Sequence, residues 1–174
     1  EWGAHTLDLC QWAADADGTT PVEFEAEGTT IHATYPNGLK LVMRIAGFEN
    51  EGDWIPEIGT CPVRFEGDEG WVEAGDYQRI EASDSALLNG KLTNQISGTD
   101  PSIHIRNFLD CIKSREKPVC NSTVVRYGHM ASFAAAAAWR LGRKVTFDPV
   151  SETFPGDAEA NATIPYTRRA GYTI

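Results

Sequence analysis

Residues 30–45, TIHATYPNGLKLVMRI, decide the fold. Apolar and polar side chains alternate on both sides of Pro36-Asn37-Gly38, and Asn-Gly between two such runs is the strongest short-range sign of a β-hairpin. Upstream, PVEFEAEG (21–28) alternates with the same period of two and predicts the third strand of a meander. Downstream, VRFEGDEGWVEAG (63–75) predicts two strands about Gly67–Gly70, YQRIEAS (77–83) another that extends the sheet, and KVTFDP (144–149) one more. Residues 47–62, acidic and rich in Gly and Pro, and the polar stretch 84–99 predict loops.

Three segments read as helices. In EWGAHTLDLCQWA (1–13), Leu9 and Trp12 follow His5 at four and seven, which predicts a short helix from His5 to about Asp15, ended by the DADG turn. Asp100 and Pro101 suit a helix start, and Ile105, Phe108, Leu109 and Ile112 recur at helical spacing, so one face of that helix is expected to enter the core. A longer helix is expected from Ser122 to Gly142, with Met130, Phe133, Ala134, Ala137 and Leu141 on one stripe. One further helical turn is expected within residues 157–174. The predicted class is α+β: an open, largely antiparallel (mixed) β-sheet with helices packed on one face, in a single domain over residues 1–174. The uncovered face of such a sheet is expected to find a partner.

Composition removes several functions. The 174 residues carry 15 basic and 25 acidic side chains, a net charge of −10 that repels phosphate backbones and anionic lipid. No apolar run approaches the roughly 20 residues a membrane span needs. Cys10, Cys61, Cys111 and Cys120 show no C-x-x-C pair, so they read as free thiols in a reducing compartment, which points to the cytoplasm. The N-x-T tripeptides at Asn121 and Asn161 carry weight only in a secreted chain. No glycine-rich phosphate loop and no G-x-S-x-G elbow occurs.

The densest chemistry lies at Glu1, His5 and Asp8, whose spacing brings all three close to one side of a helix. A histidine beside a carboxylate can take and return a proton near neutral pH. The same spacing also fits a helix-start histidine bonded to backbone, with Asp8 solvated or capping. His32, His104 and His129 stand apart and no pair has the i, i+4 spacing of a helical metal site, so no metal is predicted. Opening a chain on so loaded a helix predicts the second half of a larger protein.

Six stretches in series, GAHTLDLCQW (3–12), YPNGLKLVM (35–43), VRFEGDEGWVEA (63–74), HIRNFLDCIKSREKPVC (104–120), WRLGRKVTFDP (139–149) and FPGDAEAN (154–161), resemble the C-terminal domain of the Gfo/Idh/MocA oxidoreductases. The resemblance implies a glyceraldehyde-3-phosphate-dehydrogenase-like C-terminal domain and a parent enzyme acting on a sugar, polyol or related hydroxyl compound. It implies NAD or NADP bound mainly by an N-terminal Rossmann domain outside this chain, and a homo-oligomer formed through the sheet face. It also implies catalytic roles for His5 and Glu1 and a substrate-binding role for Asp8, although this family more often has Asp where Glu1 stands. The family's catalytic lysine lies in a Glu-Lys-Pro motif of the Rossmann domain. Glu116-Lys117-Pro118 spells the tripeptide at the end of a helix, so Lys117 is not that residue. The chain alone is therefore expected to be inactive. Two alternatives remain: an NAD-dependent glycoside hydrolase of the same scaffold, and a non-catalytic oligomerisation module.

Overall fold

The computed structural model describes residues 2–44, 61–75, 79–88 and 101–164. The α+β class holds: four helices and seven strands, with every strand pair antiparallel, occur among the described residues. The chain runs α1 (Trp2–Ala13), β1 (Glu23–Glu27), β2 (Thr30–Thr34), β3 (Lys40–Arg44), β4 (Val63–Gly67), β5 (Gly70–Ala74), β6 (Ile80–Ala82), a 3₁₀ turn (Ser85–Leu88), α2 (Ser102–Ser114), α3 (Ser122–Leu141), β7 (Val145–Thr146) and α4 (Ala158–Asn161).

The expected hairpin is present. Ile31 pairs with Met43 and Ala33 with Leu41, while the Gly38 amide donates to the Tyr35 carbonyl at 2.9 Å and the Tyr35 amide to the Leu39 carbonyl at 2.8 Å. Gly38 closes the turn at φ 88°, a conformation that a Cβ makes costly. β1 completes the meander, and β7 pairs beside it to give the order β3-β2-β1-β7. β4, β5 and β6 do not extend this sheet: they form a second sheet in that order. Hairpin signals fix local pairing, whereas adjacency between distant strands depends on tertiary packing that short-range patterns do not carry.

The core lies between the inner face of the first sheet and α3. Phe24, Ile31, Ala33 and Val145 meet Met130, Ala134, Ala135, Ala137 and Ala138, and Phe147 and Phe154 close one end edge to face at 5.2 Å between centroids. A run of alanines lets the helix backbone approach the strands closely, leaving the volume to Phe24 and Ile31. Asn121 starts α3 by accepting from the Thr123 amide at 2.9 Å, and Gly142 ends it at φ 62°. Phe133, expected on the buried stripe, is instead 68% exposed. The inward stripe is centred on the alanines, and the Phe133 ring lies beside His129 on the exposed side of the helix.

α2 departs further from expectation. It starts beside Pro101, whose carbonyl accepts from the Ile105 amide at 2.9 Å, and ends at a left-handed Arg115. Yet none of its residues is buried: Ile105, Phe108, Leu109 and Ile112 are 44–55% exposed. The face predicted to enter the core is amphipathic as read, but no described element covers it. Among the described residues no helix is long and apolar enough to cross a membrane.

Candidate functional site

α1 carries the candidate chemistry, and its inner side explains how it is held. Among its described side chains only Leu7 and Gln11 are buried, four residues apart on one stripe. The helix packs against α3 and reaches β4. Gln11, 1% exposed, uses both ends of its amide. Nε2 donates to the Ala16 carbonyl at 3.1 Å and to the Thr19 carbonyl at 2.8 Å, while Oε1 accepts from the Tyr35 hydroxyl. Tyr35, 3% exposed, sits where β2 enters the hairpin turn, so one amide ties the helix, the loop after it and the first sheet together. Burial, with a smaller contribution from neighbouring Cys10, pushes the Tyr35 phenol up to about 12, so it keeps its donor proton through the neutral range. Burial also pushes the Cys10 thiol up to about 11, leaving it a poor nucleophile at neutral pH.

The outer side of α1 presents His5 and Asp8, both exposed and one turn apart, as their spacing predicts. Trp12 lies exposed on the same side, two turns beyond His5. Glu1 lies outside the described residues, so two of the three predicted groups can be placed, one turn apart on the exposed side of α1. An exposed imidazole one turn from a carboxylate is the kind of pair that can take part in general acid–base chemistry.

The remaining histidines are dispersed. His32 Nε2 lies 3.7 Å from Glu27 on the outer face of the first sheet, and His129 Nδ1 lies 2.8 Å from the Val125 carbonyl of its own helix. No group of three or more His, Cys, Asp or Glu placed to hold a metal occurs among the described residues. The shallow concavity on the outer face of the first sheet, lined by Glu23, Glu25, His32, Lys40 and Lys144, belongs to a surface separate from α1. A charged pair also stabilises the second sheet: Arg64 Nε donates to the buried Glu73 at 2.6 Å, with its guanidinium 4.5 Å from the centroid of the Trp71 ring.

A dinucleotide finds no fitting cradle in the described residues. Their strands are joined antiparallel, and no parallel β-strand leads through a glycine turn into a helix. Gln11 and Tyr35 were not singled out from the sequence. A glutamine at i+4 from an inward leucine is the only local sign, and its phenol partner lies 24 positions away.

The described residues form an antiparallel α+β domain with His5 and Asp8 on the exposed side of its first helix. The chain belongs to a Gfo/Idh/MocA family: the family model described as oxidoreductase family, C-terminal alpha/beta domain, matches residues 1–174. Comparison with curated proteins and with solved structures returned no match.

Proposed function

We propose that this domain forms the substrate side of a cleft in an NAD(P)-dependent oxidoreductase whose substrate is a sugar, polyol or related hydroxyl compound. The observation that carries this reading is the outward presentation of His5 and Asp8 on a helix anchored from behind, in a chain that matches an oxidoreductase C-terminal domain along its full length. His5 would take the proton of the reacting hydroxyl, Asp8 would hold a neighbouring hydroxyl by accepting its hydrogen bond, and Glu1 would orient or assist the imidazole. NAD or NADP would be held by an N-terminal Rossmann domain, because the described residues of this chain do not form a dinucleotide cradle.

Two surfaces support a chain that works against neighbours. The uncovered apolar stripe of α2 suits a companion domain. The outer face of the first sheet carries Glu23, Glu25 and Glu27 on one strand and Lys40 and Arg44 on another, which suits a second copy of the same face.

The test uses the full-length protein with sugars and polyols as substrates and NAD or NADP as oxidant. His5→Ala should lower kcat by about 10²–10⁴, the range that general acid–base catalysis supplies. Wild-type turnover in that variant overturns the role. Released sugar with no net change in NAD would instead assign the scaffold to glycoside hydrolysis.

A further inference from the structure

We infer that Gln11 and Tyr35 are positioning residues that set the rotation of α1, and with it the place of His5; this rests on the proton-transfer reading of His5 given above. Among the described side chains of α1 the buried ones are Leu7 and Gln11, with Leu9 and Cys10 partly buried beside them, so half of the buried pair is an amide rather than an apolar group. Apolar contacts tolerate small slips, because volume matters more than direction. Hydrogen bonds weaken steeply with angle, so an amide held at both ends defines an orientation. Gln11 has three partners on two separate pieces of the fold: the carbonyls of Ala16 and Thr19 in the following loop, and the hydroxyl of Tyr35 at the hairpin. The loop carbonyls continue directly from α1, so the bond that registers its rotation against the sheet is the one to Tyr35.

The lever is short. Gln11 lies six residues beyond His5, which on an α-helix is about 9 Å along the axis. At a side-chain radius of about 5–6 Å, a 15° rotation moves the imidazole by about 1.5 Å. Displacements of about 1 Å at a reacting group can cost about 10²-fold in rate. A hydrogen-bonded anchor buried beneath the helix therefore governs a proton transfer on its solvent side without touching the substrate.

The decisive variant is Tyr35→Phe, which removes one link and keeps the ring. Residual dipolar couplings of the α1 amides, measured against those of β1 and β2, report helix orientation without any substrate. We expect them to change in Tyr35→Phe, and kcat of the full-length enzyme to fall by about 10-fold with KM within about two-fold. Gln11→Met should give the same signature, and it replaces Tyr35→Phe if that variant does not fold. The double variant should be no slower than the worse single one, because both act through one anchor. A folded variant with a lowered melting temperature but unchanged couplings and unchanged kcat overturns the proposal and leaves the network a purely stabilising one. The two readings fail separately: an active His5→Ala enzyme removes the role of His5, whereas unmoved α1 couplings remove only the anchor.

Discussion

α1 and α2 are of nearly equal length and opposite design. α1 has a weak apolar pattern, yet its inner side is tied into the fold through Gln11 and Tyr35, and its outer side carries polar chemistry. α2 has the clean i, i+3, i+4, i+7 apolar stripe of a core helix, yet leaves that stripe uncovered. Amphipathic spacing shows that a face favours burial, but not what buries it. A few directed hydrogen bonds can anchor a helix whose spacing predicts little.

This contrast can be broken most sharply in the core. Phe24→Ala removes a fully buried ring between the first sheet and α3 and should cost about 3–5 kcal/mol in urea unfolding of the chain. A loss below about 1 kcal/mol would mean that this sheet–helix layer is not the centre of stability. A smaller effect is expected at the junction that separates α2 from α3. Asn121→Ala deletes the acceptor for the Thr123 amide and the donor to the Pro118 carbonyl, and should cost about 1 kcal/mol in the same measurement. The smallest effect is expected on α2 itself. Phe108→Ala in the 174-residue chain should stay within about 0.5 kcal/mol, because the ring is already half in water. The same substitution should cost more in the full-length protein if a companion domain covers that face, and an equal cost in both would place the stripe in solvent throughout.

The legible parts of the fold are those written in short windows. The alternation around Pro36-Asn37-Gly38 placed β2 and β3, and the residues flanking Gly67 and Gly70 placed β4 and β5. Gly142 marked the end of α3. The illegible parts depend on distant partners. Nothing local separates β4–β6 from the first sheet, nothing in the spacing of Phe108 and Ile112 reveals an open face, and Phe133 fits its stripe by periodicity while lying outside it in space. The candidate site divides the same way. His5 and Asp8 share an exposed side as their spacing requires, whereas the anchor beneath them joins a polar residue that composition would assign to solvent with a tyrosine two elements away.

The asparagines at the two sequons bear on how this surface could be decorated. At Asn121 the side-chain oxygen caps α3 and the nitrogen donates to the Pro118 carbonyl at 3.1 Å; at Asn161 the nitrogen donates to Phe154 and Asp157 carbonyls at 2.6 and 2.8 Å. Asn161 spends both amide hydrogens on these carbonyls, so a glycan joined to its nitrogen would remove one bond, whereas Asn121 spends one and could keep it. Sugar attachment at Asn161 and the native start of α4 are thus in direct competition, while the cap of α3 at Asn121 is made by the oxygen that a glycan leaves in place.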